Sequence, residues 1–434
     1  MGSPAAGKDQ YLLVFGATMA LRERAVVAAL RVFDGPVVTI ARSVDARAAK
    51  FFDHVLIGDF SDPEASLRAV LDFEKETGMT PAGVVPFFDP GLLPGRLIAD
   101  HYGLPFLSHR AIEDSGINKD RMKDRLLAAG VATPRHVRAD DLDEVWAAVA
   151  ELGLPCVIKP SAFGGSLGVR LITEESEIAE AYATVRGIID SNAATFTVKN
   201  KGIQVEEFCT LTEEVSVEVL THGDRPRVLA VTDKSHGPKP YFAEVGHRVP
   251  SVHSTRTDVL DLAVRACEAI GLDRGVAHVE IRLEGDRAPQ VMEVGARTAG
   301  DGILDLAERA LGFSSYELHV RSYLDRLDGV AVPPHEPRGL AAIAVLKAPP
   351  GRIAEIRPAR EVDAAVCAYE VFAAPGSVSS AQQANYLHRE GYVECYWPGA
   401  TPESVPRDAH LDIAADLAAQ IFGMEEREEA DGER

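Results

Sequence analysis

The segment from 275 to 299, GVAHVEIRLEGDRAPQVMEVGARTA, constrains this chain most. Two apolar-rich runs flank a turn, EGDRAP at 284–289, so the segment reads as an antiparallel hairpin. The sequence midpoint of Glu280 and Glu293 falls inside that turn. In such a hairpin the two carboxylates stand nearly opposite each other, with Cβ atoms ~4.5–5.5 Å apart, where like charges destabilise. The other charged or titratable strand residues nearby are His278, Arg282 and Arg297, which favours a buried hairpin over two glutamates on a solvated face. A divalent cation between the carboxylates would offset their repulsion. Few oxygen ligands, with phosphates completing the shell, describe Mg²⁺ (or Mn²⁺) rather than Zn²⁺.

Arg297 follows Glu293 by four residues and precedes a helical run that begins at about 302. A guanidinium there suits a bidentate phosphate or carboxylate, and the Gly300 turn would add backbone N–H donors. The plain alternative is an arginine paired to Asp301. A second segment, PCVIKPSAFGGSLGVRLI at 155–172, sets two apolar strands around a loop with Ser161, Gly164, Gly165, Ser166 and Gly168. Glycines let backbone N–H groups approach an anion closely. Lys159 closes the first strand, well placed for phosphate; a hairpin with a flexible turn and a snorkelling lysine is the equal alternative. This loop is not a Walker A motif. A third segment, IQVEEFCTLTEEVSVEVL at 203–220, reads as strand, short loop, strand, with Glu206, Glu207, Glu213 and Glu214 around the loop.

The rest of the chain supplies the frame. Residues 11–17 and VVTIA at 37–41 read as strands, with a helical stretch at 20–32 between them; VVPFF at 84–88 precedes another helical run at 92–103. This alternation predicts an open parallel sheet. The first turn lacks GxGxxG, which weakens a dehydrogenase reading. Asn118 and Gly130 bracket a helix, and a further helix at 257–270 places Cys267 in the core. The link VPPHEP at 332–337 suggests a boundary, and a last helix falls near 408–422. The expected units are 1–114, 115–327, 328–423 and an acidic tail, 424–434. With 45 Lys and Arg against 66 Asp and Glu, the net charge of −21 argues against a nucleic-acid or anionic-membrane partner. No apolar run reaches the ~18–20 residues of a membrane span, and MGSPAAGKDQ lacks a signal-peptide core. Five well-separated cysteines argue against a disulfide framework and a CxxC zinc site and predict a reduced, cytoplasmic protein.

Taken in order, the pieces between about 115 and 325 resemble the ATP-grasp superfamily. They are Lys119, the strand-end Lys159 with its glycine-rich loop, the run Val205-Glu206-Glu207-Phe208, Glu214 eight residues after Glu206, and the ending Glu280, Glu293, Arg297. The flanks look like those of carboxylate–amine ligases. The segments TDKSHGPKPYFAEVGHRVPS (232–251) and MEVGARTAGD (292–301) look most like bacterial L-amino acid ligases, which make dipeptides.

The resemblance implies an N-terminal open parallel-sheet α/β domain, a central ATP-grasp fold whose two lobes clamp ATP, and a C-terminal mixed α+β lobe. It implies ADP-forming joining of a small-molecule carboxylate to an amine through an acyl phosphate. Lys119, Lys159 and the 161–168 loop would contact ATP phosphates. Glu206, with the Glu207 and Phe208 backbone, would hold adenine, and Glu214 ribose. Glu280 and Glu293 would bind Mg²⁺, and Arg297 would stabilise the acyl phosphate. Lys234 joins Arg297 as a catalytic candidate; Asp89, Glu244, His247 and Gly300 are the candidates for substrate contact. Asp89 has a second reading, as a cap for the helix that follows it. Many ATP-grasp enzymes carry asparagine two residues after the second metal glutamate, where this chain has Gly295. A homodimer is a further expectation of the resemblance. The competing readings are a biotin-carboxylase-like, bicarbonate-activating enzyme and a non-catalytic nucleotide-binding module.

Overall fold

The computed structural model describes residues 9–17, 21–44, 50–192, 199–223, 226–330, 336–381 and 383–425. The apolar run Gln10–Phe15 forms the second-from-edge strand of a four-stranded parallel sheet. Its neighbours are Val37–Ala41 and Thr80–Pro86, with His54–Ile57 at the far edge. Helix Glu23–Val32 connects the first two strands in sequence, Pro63–Thr77 connects the last two, and Leu92–Tyr102 follows the last. Asp62 caps the second helix by accepting from the Ala65 N–H, and Pro63 begins it. The first strand stops at Phe15 because Gly16 turns the chain with φ +84°, and a Cβ there would lie 2.4 Å from the Phe88 ring. Phe87 and Phe88 leave the strand read at 84–88 and lead into a short 3₁₀ turn, Asp89–Gly91.

The central part carries two sheets. The smaller is antiparallel and orders its strands His136–Ala139, Ile203–Glu207, Cys156–Pro160 and Arg170–Ile172. The larger has eight strands. Its order runs Arg287–Gly295, Arg274–Glu284, Glu213–His222, Arg227–His236, Glu244–Val249, Gly339–Leu346, Gly391–Pro398 and Val366–Val371. Ile203–Glu207 and Glu213–His222, read as one strand–loop–strand piece, therefore sit in different sheets, and only residues 208–212 join them. The larger sheet also runs unbroken across the boundary expected at 328. Helix Thr257–Ile270 covers it and buries Val259, Ala263, Cys267 and Ile270, as its spacing predicts.

One reading at the C-terminus changes. Met424 belongs not to a tail but to the strand Phe422–Met424, which pairs with Gly351–Ile356 through Ile353. The remainder of the expected tail, 426–434, lies outside the described residues, as do 332–335 of the VPPHEP link. All five cysteines are free thiols, four of them buried. No helix among the described residues is long and apolar enough to cross a membrane.

One buried acid gives a pH test. Asp305, in the first turn of helix Ile303–Leu311, has its carboxyl pushed up to about 7, by burial above all, with Arg24 opposing from 3.8 Å. The folded protein then keeps this proton up to about pH 7, while the unfolded chain releases it near pH 4. Stability attributable to this group falls as pH rises through that window. Asp305→Asn is expected to match the parent near pH 4 and to be more stable at pH 8 by roughly 2–4 kcal/mol. Thermal melts at the two pH values check this.

Candidate active site

The hairpin forms as its sequence predicts, and Glu280 stands in register with Glu293. Each carboxylate meets its own lysine. Lys234 Nζ lies 2.6 Å from Glu280 Oε1, and Lys119 Nζ lies 2.6 Å from Glu293 Oε2. Lys234 comes from the neighbouring strand Arg227–His236, and its ammonium is fully buried. It also pairs with Glu244 and, at 3.4 Å, with Glu214. Burial alone would discharge Lys234, but Glu244, Glu280 and Glu214 hold its pKa well above the usual value. Glu280 is held well below the usual carboxylate range: burial opposes this, and Lys234 and His278 outweigh it. His278, wholly inside the sheet, is pushed up to about 9; burial works against its charge and Glu218 prevails.

Lys119 is positioned by its helix. Asn118 occupies the N-cap position of Lys119–Ala128, yet its side chain caps nothing and donates instead to the Glu113 carbonyl. The Lys119 N–H donates to the Ser161 carbonyl, which ties the helix start to the glycine-rich loop. Gly116, just before it, donates its N–H to the Val294 carbonyl. A Cβ at Gly116 would lie 2.8 Å from Glu293 Oε1, so any larger residue pushes that carboxylate aside. Gly116→Ala is therefore expected to leave the melting temperature nearly unchanged and to raise the cation concentration needed for half-maximal turnover about 10-fold. A titration of activity with Mg²⁺ reads this out.

Arg297 does not pair with Asp301. Its Nε donates to Asp89 Oδ2 at 3.0 Å, across to the N-terminal unit, and its Nη1 donates to the Thr298 carbonyl. Burial opposes its charge, and Asp89 more than offsets this, so the guanidinium stays charged. Asp89 opens the turn and does not cap the helix Leu92–Tyr102, whose N-cap position is Gly91; its second oxygen is buried without a partner. Gly295 leaves the space beside this arginine open: a Cβ there would sit 3.5 Å from Arg297 Cζ. Asp301 is instead gripped by Arg389, at 2.7 and 2.8 Å, and lies 3.5 Å from His247 Nε2. The same His247 nitrogen is 3.5 Å from Glu244 Oε2. A cleft collects Glu244, His247, Asp301 and Arg389 against Leu21 and Phe372. Gly300 sits beside Arg22, and its carbonyl accepts from Ile303.

In the smaller sheet, Lys159 Nζ lies 2.7 Å from the buried carboxylate of Glu206. The glycine-rich loop turns through positive φ at Phe163, Gly165, Ser166 and Gly168. The Ser161 hydroxyl is buried without a partner, and Ser166 Oγ donates to the Phe242 carbonyl at 2.8 Å. Gly165 carries the Tyr386 ring, which a Cβ would strike, and Gly164 faces open space. Glu207 and Phe208 donate their N–H groups to the Arg135 and Pro155 carbonyls. Lys239 lies over the Phe208 ring at 4.8 Å. Glu214 accepts from Arg282 Nε at 2.8 Å and lies 3.4 Å from His236 Nε2.

Several contributors escaped sequence reasoning. Lys123, one turn after Lys119, is fully buried and 3.3 Å from Glu206; burial chiefly pushes its pKa down to about 8. Its i, i+4 spacing from Lys119 on one helix was the available signal. Arg22, Glu218 and Arg389 come from distant segments and carry no local motif.

Comparison with known proteins agrees with this geometry. Residues 152–305 match the ATP-grasp domain family. Alanine–anticapsin ligase of Bacillus subtilis (strain 168) is 27% identical over 244 residues, 52% of this chain and 50% of that protein. The chain thus spans about half the length of that relative. Formate-dependent phosphoribosylglycinamide formyltransferase of Burkholderia vietnamiensis is 26% identical over 340 residues, 75% of this chain and 77% of that one. The L-amino acid ligase from Bacillus licheniformis superposes with a TM-score of 0.79 at 21% identity, covering 97% of this chain and all of that one. Residues 152–305 thus match the ATP-grasp domain family, and the chain as a whole shares the fold of that L-amino acid ligase.

Proposed function

We propose that this chain is an ATP-dependent ligase that joins an amino-acid-like carboxylate to an amine and releases ADP and phosphate. The observation that carries the reading is the Glu280–Glu293 pair in register, faced by Lys119 and Lys234 and followed by the Asp89-anchored Arg297. The relative named for ligating alanine supports it.

A carboxylate is a poor acyl donor. Transfer of the γ-phosphoryl group gives an acyl phosphate, whose carbonyl the amine attacks with loss of phosphate. The protein's part is to position the reactants and to balance charge. Lys119, Lys159 and the 161–168 loop hold the phosphates, and the loop keeps water from the acyl phosphate. Glu206 with the 207–208 backbone meets adenine, and Glu214 meets ribose. Arg297 meets the negative charge that develops at the acyl centre, and Lys234 keeps Glu244 and Glu280 charged and in place. Asp89, Glu244, His247 and Gly300 line the route for the acyl donor and the amine. Two opposed carboxylates are a hard-oxygen donor set that fits Mg²⁺ or Mn²⁺. Glu280 and Glu293 would hold the ion, which supplies charge neutralisation to the phosphates.

The test is Mg²⁺-dependent ADP release, screened with amino acids singly and in pairs while product mass is followed. Release with particular pairs only, and a product one water lighter than their sum, is expected. Release with bicarbonate alone would reassign the enzyme to carboxylation. ATP binding without turnover under any pair would support a binding module.

A further inference from the structure

We propose that His278 is the residue that positions Glu280, and that the buried Glu218 aligns His278 for that task. This rests on the reading of Glu280 as a cation ligand. His278 and Glu280 stand two residues apart on Arg274–Glu284, so their side chains share one face of the sheet. The adjacent strand sets Glu218 directly opposite His278, and the strand on the other side sets Gly295 opposite it. The imidazole thus has a carboxylate on one flank and no side chain on the other.

The contacts form a line. Glu218 Oε1 lies 2.7 Å from His278 Nδ1, and His278 Nε2 lies 3.3 Å from Glu280 Oε1. Glu218 has no exposed surface, and its second oxygen has no hydrogen-bond partner. A carboxylate in that setting is costly to bury. An apolar residue would fill the position more cheaply if packing were its only purpose. Its single described side-chain partner is His278. Held at Nδ1, the ring cannot rotate, and Nε2 stays aimed at Glu280.

The fixed ring gives the Glu280 carboxylate a reason to stay where it is. The same Oε1 is also pulled by Lys234, which serves Glu244 and Glu214 as well. Without His278, that shared ammonium alone would set the carboxylate's direction. With it, Glu280 is tied from two sides and remains in register with Glu293. Partners behind a ligating group commonly matter about 10- to 100-fold in metal affinity.

The experiment measures Mn²⁺ binding to the full-length protein by calorimetry, with ADP present, alongside a melting curve for each variant. His278→Ala is expected to weaken Mn²⁺ binding about 10- to 100-fold. His278→Gln places an amide N–H near the Nε2 position and is expected to recover binding to within about threefold of the parent; His278→Asn, reaching only as far as Nδ1, is not. Glu218→Gln is expected to weaken binding about 10-fold with the ring still present. If His278→Ala binds like the parent while Glu280→Gln loses binding, the positioning role is overturned and the ligand role of Glu280 stands. If Glu280→Gln also binds like the parent, both fall. Should His278→Ala fail to fold, equal binding by the Gln and Asn variants would overturn the proposal.

Discussion

Glu293→Ala is expected to lower Mg²⁺-dependent ADP release by at least about 10³-fold, the scale on which loss of an organised charge partner acts in phosphoryl chemistry. The substitution removes one of the two opposed carboxylates and strips the buried Lys119 of its partner at 2.6 Å. The freed ammonium then faces the cleft with a full positive charge where a cation should sit. Raising Mg²⁺ is not expected to restore the rate if Glu293 is a ligand, because the missing group then alters the site itself. The fold survives: Glu293 is partly exposed, and its neighbour Val294 still fills the core. Initial rates across a Mg²⁺ series, with melting curves as a control, measure the effect. An unchanged rate would refute the metal assignment of Glu293.

Arg297→Leu separates chemistry from binding. Turnover is expected to fall about 10²–10³-fold while ATP affinity moves no more than about threefold. The reason is placement. Arg297 follows the hairpin and is held by Asp89, whereas Lys159 and Glu206, the residues proposed for the nucleotide, pair with each other. Leucine keeps the stem's packing and removes the charge, and it leaves the half-buried Asp89 without this cation, so a small loss of stability accompanies the kinetic defect. The comparison of kcat with nucleotide affinity, taken from binding of ADP, checks it. A larger loss of affinity than of turnover would place Arg297 in the nucleotide site.

What was legible in the sequence follows from range. The Glu280–Glu293 register was readable because a short turn fixes which residues oppose each other, and the structure pairs these two. The Cys267 helix was readable from its 3.6-residue period. The strand–turn–strand around the glycine-rich loop is local as well. The partners of charges were not local. Arg297 finds Asp89, 208 residues away, and Asp301 finds Arg389, 88 residues away. No sequence spacing encodes those pairings, which depend on how whole sheets stack. The end of the chain was misread for a related reason. MEEREEADGER looks acidic throughout, yet its first residue closes a sheet because Gly351–Ile356 offers a free edge there.

The shared sheet limits how this protein can be recombined. A chimaera joined at 328 would look natural on the sequence, since a proline-rich link lies there. It would nonetheless sever Glu244–Val249 from Gly339–Leu346, strands that hydrogen-bond along His247, Arg248 and Val249. A fragment that lacked the second strand would leave a row of backbone donors and acceptors bare beside the Glu244–His247 cleft, an invitation to intermolecular pairing. Fragments ending before that point should aggregate rather than serve as a minimal catalytic core. Exchange of surface loops between related proteins has better prospects if the graft keeps both halves of the sheet from one parent.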